Sequence, residues 1–402
     1  MTVAEAVERA HREEWARVLA ATARFTRDLD LAEECVQDAY ARALDTWPEA
    51  GVPERPGAWL TTVARNRALD RLRRESHLRR MLPLLVTDEV APPADDRLGL
   101  VLMCCHPALS RDAQVALTLR LVGGLSTAEV ARAYLVPEPA MAARITRAKR
   151  KIAAARIPMR VPGPGELPDR VAAACEVVHL VYTTGHTAPG GPGLQRTDLA
   201  DGALAIARML RLLLPRDAEV AGLLALLLLL DARRDARTAA DGRMLLLAEQ
   251  DRTRWDAGRI AEGTALLGEA LRRPPTRWAV QAAIAAVHAE SPSWEATDWS
   301  EICGLYDVLL SLWPSPVVRL NRAVALGFRD GPAAGLAALE PLLAEPALAG
   351  YGYLAAARAD FLRRLGRTAD AALAYEEAIA LTLNDVERAF LTRRLAGLRS
   401  NG

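Results

Sequence analysis

Residues 59–76, WLTTVARNRALDRLRRES, combine groups that neutralise anions with groups that can engage flat heterocycles. Wound at 100° per residue, Trp59, Thr62, Asn66, Asp70 and Arg73 share one stripe, at intervals of 3, 4, 4 and 3. Arg67, Arg71 and Arg74 form a second stripe, while Ala64, Ala68, Leu69 and Leu72 supply an apolar strip. A salt-bridged surface helix would alternate its charges, and this one does not. Arginines neutralise phosphates, and an aromatic ring beside Asn and Thr can hold unstacked bases. The chemistry on offer is recognition of a polyanion, with an arginine-rich solvated helix as the plainer alternative.

A second cationic segment follows. In residues 125–152, LSTAEVARAYLVPEPAMAARITRAKRKI, Ser126 and Glu129 predict a capping box, LVPEP a turn, and the remainder a second helix, together a helix-turn-helix. Met141, Ile145, Ala148 and Ile152 recur at 4, 3 and 4 as the expected buried stripe. Ala140, Arg144, Arg147 and Lys151 lie opposite, flanked by Lys149 and Arg150, which suits a helix lying in a major groove. Ala140, Ala142 and Ala143 leave few side chains for base edges, so Arg144 is the foremost base reader, with shape and phosphate contacts carrying the rest.

Ahead of both lies an acidic helix. Asp30 with Glu33 predicts its capping-box start. Val36, Tyr40, Ala43 and Trp47 should face the core, leaving Glu34, Gln37, Asp38, Ala41 and Asp45 opposite. By residue type alone that acidic face is solvated surface.

These segments need a scaffold, and the composition predicts a helical one. The 402 residues exceed one compact core and are 51% apolar, mostly Ala, Leu and Val with few aromatics, which favours an all-α chain of two or three domains. The net charge of +1 conceals a split: residues 1–160 carry 25 Lys+Arg against 21 Asp+Glu, net +4, leaving −3 for the rest. Proline clusters place module boundaries at 78–95 and 157–168, giving modules 1–77, 96–156 and 169–402. Cys35, Cys104, Cys105, Cys175 and Cys303 have no disulfide-framework spacing, as suits a reducing cytoplasm. Cys104, Cys105 and His106 cannot close a tetrahedral metal site alone, and nothing calls for a cofactor. The acidic N-terminus is unlike a signal peptide, and the longest apolar run, residues 220–230, is too short to span a bilayer.

The third module has its own rhythm. Gly366, Ala371, Tyr375 and Ala378 follow the tetratricopeptide helix-turn-helix spacing, in which small residues let paired helices approach and an aromatic fills the next groove. Ala323, Gly335 and Leu339 take equivalent places upstream, and residues 278–314 make a weaker third pair, so at least three helical hairpins are expected. An irregular helical domain is the alternative.

DLAEECVQDAYARAL followed by AWLTTVARNRALDRLRRE resembles region 2 of the bacterial sigma-70 superfamily, in particular the extracytoplasmic-function (group 4) sigma factors, over about residues 7–76. The helix-turn-helix resembles region 4. The chain as a whole, including CCHPAL and LLLLLDARRDAR, resembles the subgroup with a large tetratricopeptide-like C-terminal extension. The resemblance implies that Glu33, Glu34, Gln37 and Asp38 dock on the β′ clamp of core RNA polymerase. It implies that Trp59, Thr62, Arg65, Asn66, Arg67, Arg73 and Arg74 engage the promoter minus-ten element. It further implies that region 4, through Ser126, Thr127, Ala140, Arg144, Arg147, Lys149, Arg150 and Lys151, reads the minus-thirty-five element beside the β flap. The extension is expected to modulate activity, with Asp231, Arg233, Arg234 and Asp235 either pinning it to the sigma core or forming a solvated helix end. A stand-alone helix-turn-helix regulator with a sensing domain would need neither the Trp59/Asn66 helix nor the acidic face. An enzyme hidden in residues 169–402 would rest on His179, His186 and the GHTAPGGPG loop, with no accompanying phosphate-loop or nucleophile motif.

Overall fold

The structure, a computed structural model, describes residues 2–76, 96–134 and 136–400. Most of the expected connector at 78–95 therefore lies outside the described residues. The chain divides into two compact units, Met1–Val181 and Tyr182–Gly402, and no extended strand occurs among the described residues. The fold is all-α.

The first unit opens with α1 (Val3–Thr26), α2 (Leu29–Ala50) and α3 (Pro56–Ser76). Thr2 and Glu5 close a capping box on α1, and Arg27 ends it in the left-handed conformation. The cap of α2 is Asp28, whose carboxylate accepts from the Asp30 and Leu31 amides at 2.8 and 3.0 Å, not the expected Asp30/Glu33 pair. The helix starts one turn-position earlier because Asp28 is the extended residue immediately before it, and Glu33 is engaged elsewhere. Val36, Tyr40, Ala43 and Trp47 are all buried, as their spacing predicts, and Tyr40 ties α2 to α1 by donating to the Ala10 carbonyl at 3.1 Å.

Next come α4 (Arg97–Cys104), α5 (Arg111–Leu117), α6 (Thr127–Ala133) and α7 (Glu138–Ala154). A π-turn at Thr118–Val122 extends α5, an insertion that re-aims the side chains of the widened turn. Between α6 and α7 the chain turns through Pro137, giving the expected helix-turn-helix. Segment 157–168 lies inside this first unit: the Gly99 backbone sits against Met159 and Arg160, and Arg170 donates to the Leu102 carbonyl at 2.6 Å. The contact boundary falls instead within α8 (Leu167–His186).

The second unit continues through α9 (Thr197–Leu213), α10 (Ala218–Asp231), α11 (Ala257–Ala270), α12 (Arg277–Glu290) and α13 (Trp299–Leu312). It closes with α14 (Pro316–Arg329), α15 (Pro332–Leu339), α16 (Gly352–Arg364), α17 (Thr368–Leu381) and α18 (Asp385–Ser400). Apolar on all sides, α10 is buried along nearly its whole length, and no described helix is long and apolar enough to cross a membrane. Successive helices pack as hairpins. Ala371, Tyr375 and Ala378 are buried and Gly366 takes a left-handed φ of 72°, as the repeat spacing predicts. The segment between α8 and α9 is tied to the start of α18: the Asn384 side-chain amide donates to the Ala188 and Gly193 carbonyls at 3.0 and 2.8 Å.

Candidate nucleic-acid interface

Helix α3 buries Leu60, Ala64 and Ala68 completely, whereas Leu69 and Leu72 are only half-buried. Trp59 is half-buried too, its ring set edge-on to Trp47 with centroids 5.6 Å apart, so part of this aromatic serves packing. Thr62 is exposed and donates to the Ala58 carbonyl at 2.9 Å. Arg65 stacks over Phe25 at 5.2 Å, and Asn66, Arg73 and Arg74 are exposed.

The cationic stripe does not stand apart from the acidic helix. Arg71 grips both oxygens of Glu34, at 2.6 and 3.0 Å, and Arg67 lies 3.9 Å from Asp38. The hydrogen bond to Glu34 raises the Arg71 pKa further above its ordinary value. Helical phasing implies two separate faces; the structure joins them along one seam, with a cleft of about 340 Å³ lined by Asp38, Arg67, Asp70, Arg71 and Arg74. Such exposed pairs contribute little to stability and are readily exchanged for other partners. Gln37 is exposed beside them.

Glu33 is placed differently from its neighbours. It lies three residues before Val36 on the buried stripe of α2, a signal present in the sequence, and it is 7% exposed. Its carboxylate pairs with Arg120 from the π-turn and with Lys149 of α7, the latter at 2.7 Å, and Lys149 also reaches Asp30 at 2.6 Å. Burial opposes the charged amine of Lys149, yet hydrogen bonds to Asp30 and Glu33 hold its pKa above the ordinary lysine value. Trp15 completes the contact: its indole donates to the Leu121 carbonyl at 3.1 Å and its face meets the Arg120 guanidinium at 5.8 Å. Glu33 and Lys149, read from sequence as outward contacts with different partners, here face each other. Arg120 and Trp15 are not singled out by sequence reasoning, since nothing local marks a pairing across 116 residues.

The helix-turn-helix forms as its sequence dictates. Ser126 and Glu129 satisfy one another's amides at 2.7 and 3.2 Å, and Met141, Ile145, Ala148 and Ile152 are the buried residues of α7. Ser126→Ala should cost about 1 kcal/mol, read as a lower denaturant midpoint. Ala140, Arg147, Arg150 and Lys151 are exposed, Thr127 is half-buried, and Arg144 is half-exposed with Asp112 3.6 Å away.

Elsewhere, Cys104 and Cys105 are fully buried, and burial raises both thiols, Cys105 to about 11. The Cys105 thiol meets the Thr118 hydroxyl at 3.5 Å, which makes it a packing residue. In the second unit Asp231 is buried, held by Arg234 at 2.7 Å and Arg259 at 2.5 Å, so it ties α10 to α11 rather than forming a solvated end. His186 is packed there as well, 3.2 Å from the Tyr182 hydroxyl, and burial depresses its pKa well below the usual value. A cleft of about 640 Å³ opens beside α9, lined by Gln195, Thr197, Arg234, Asp235, Thr238 and Arg254.

An arginine-rich helix packed on an acidic one, followed by a helix-turn-helix with a basic second helix, is the anatomy of a sigma factor. The sigma-70 region 2 model matches residues 12–78, the sigma-70 region 4 model residues 100–152, and a family of unknown function, DUF6596, residues 170–271. The chain is 43% identical over 393 residues to "Uncharacterized protein R00370" of Rhizobium meliloti (strain 1021), covering 94% of this chain and 92% of that protein. No solved structure matches. The chain belongs to the sigma-70 family, as an extracytoplasmic-function type with a C-terminal extension. It is thus a factor for promoter-directed transcription initiation, a family of non-enzymatic proteins that act with RNA polymerase and promoter DNA.

Proposed function

We propose that the α2–α3 seam is where this factor meets polymerase and promoter together. Glu34, Gln37 and Asp38 contact the β′ clamp, and Trp59, Thr62, Arg65, Asn66, Arg67, Arg73 and Arg74 contact the minus-ten element. Helix α7, with Ser126 and Thr127 at the mouth of the helix-turn-helix, reads the minus-thirty-five element beside the β flap. The observation that carries this reading is the polar surface of α3: Thr62, Arg65, Asn66, Arg73 and Arg74 are exposed above a fully buried strip of Leu60, Ala64 and Ala68. The second unit, with its tetratricopeptide-like hairpins, modulates this activity; its size and the cleft at Arg234 and Arg254 support a sensing or docking role.

Purified full chain added to bacterial core RNA polymerase and genomic DNA should yield promoter-specific run-off transcripts. Their complete absence would overturn the reading. Arg74→Ala should weaken DNA binding across sequences and reduce the salt slope by about 1. Arg144→Ala should cost roughly 1–3 kcal/mol of discrimination at one minus-thirty-five position, leaving other sequences little changed. Competition binding at several salt concentrations distinguishes the two.

A further inference from the structure

The contact between α2 and α7 is the one place in the first unit where charged groups are withdrawn from water across a long sequence separation. The Glu33, Arg120 and Lys149 side chains are 9, 12 and 11% exposed. Around them, Trp15 donates to Leu121, the His11 ring lies against Gly124, and Arg24 pairs with Asp96 at 3.2 Å. Buried charges persist only when their partners are in place, so this cluster is all-or-none: removing one member leaves the others desolvated and unpaired. Two of its members, Glu33 on α2 and Lys149 on α7, belong to the helices that the proposed function assigns to polymerase and DNA. While they hold each other, neither is free for those partners.

We propose that the free factor is self-latched: the Glu33–Arg120–Lys149 cluster holds α7 on α2, and binding of core polymerase opens it. Arg120 is the keystone, because the π-turn aims it between Glu33 and the Trp15 ring and its guanidinium also donates to the Leu125 carbonyl at 3.0 Å. The opened form exposes a carboxylate on one side and two cations on the other, matching the opposite demands of a protein surface and a DNA backbone. This inference rests on the sigma-factor reading for what does the opening, but not for the latch itself.

Spin labels at the exposed positions Ala41 and Ala154, introduced as Ala41→Cys and Ala154→Cys, report the α2–α7 distance by double electron–electron resonance. The native thiols are all buried. The full chain should give one narrow distance peak, and Arg120→Ala should convert it to a broad distribution reaching longer distances. Arg120→Lys, which keeps the charge, should stay narrow. Lys149→Met provides a second opening variant that keeps the aliphatic stem, should Arg120→Ala fail to fold. Adding purified bacterial core polymerase to the full chain should lengthen the distance. A narrow peak in both opening variants, or polymerase binding without a change in distance, would overturn the latch. Failure of polymerase to bind at all would instead remove the sigma-factor reading, leaving the latch to be decided by the Arg120 and Lys149 variants.

Discussion

Asp231→Ala should lower the stability of the second unit by about 3 kcal/mol or somewhat more, the range for removing one partner of a buried ion pair. The carboxylate is 1% exposed and accepts from Arg234 Nε and Nη2 at 2.9 and 2.7 Å, besides its pair with Arg259 at 2.5 Å and a longer contact with the Tyr182 hydroxyl. Two features hold the cost toward the lower end. Arg234 keeps Asp201 at 2.8 Å and Arg259 keeps Asp256 at 3.5 Å, so neither cation is stranded completely. In urea unfolding followed by far-UV circular dichroism, the midpoint should fall with little change in slope. Asp241→Ala, which breaks an exposed pair with Arg243, serves as the control and should leave the midpoint in place. Equal shifts in the two variants would show that Asp231 is no more than a surface charge.

Phe361→Ala should cost a further-reaching 3–5 kcal/mol. The ring, 2% exposed on α16, lies against two glycines, Gly327 on α14 and Gly335 on α15, where a side chain would collide with it; a Cβ on Gly335 would stand 2.5 Å from the ring. Truncation therefore leaves a hole bordered by residues that have no side chains with which to refill it. The same geometry predicts a sign for the reverse change. Gly335→Ala gains about 1 kcal/mol of helix propensity but forces an overpacked contact costing roughly 1–3 kcal/mol, so the single variant should be destabilised. In the Phe361→Ala background the same methyl enters the hole, and the double variant should be more stable than the sum of the two losses. Strict additivity would mean that the ring and the glycines are not in contact.

How much of this was legible beforehand depends on the range of each interaction. The stripe Met141, Ile145, Ala148 and Ile152 and the Ser126/Glu129 cap are set within a few residues, and both appear where periodicity and capping chemistry put them. The same holds for Ala371, Tyr375 and Ala378, whose small sizes only make sense against a neighbouring helix. The start of α2 was harder, because Asp28 and Asp30 both precede the same apolar run and local residue type does not choose between them. Region 157–168 reads as a linker from its prolines, yet its backbone lies against Gly99. The α2–α3 seam and the Glu33 cluster depend on which helices meet, and helical phase alone assigns a face without naming what covers it. Glu33 carried a warning in its phase with Val36, but its acidic neighbours drew it into the outward set.

The bond from Asn384 to the Ala188 and Gly193 carbonyls also has a bearing on the order in which this molecule is made. A stack of helical hairpins can ordinarily settle progressively as it leaves the ribosome, each hairpin needing only the one before it. Here the 188–193 segment is fastened by a residue 196 positions downstream, and the Asp385 amide adds a bond to the Gly191 carbonyl at 3.0 Å. The earliest part of the second unit therefore waits, its carbonyls unsatisfied by protein, until nearly the last helix has been synthesised. Regions 2 and 4 are complete in the nascent chain long before that, so the newborn factor passes through a period in which its nucleic-acid-binding part is finished and its extension is not.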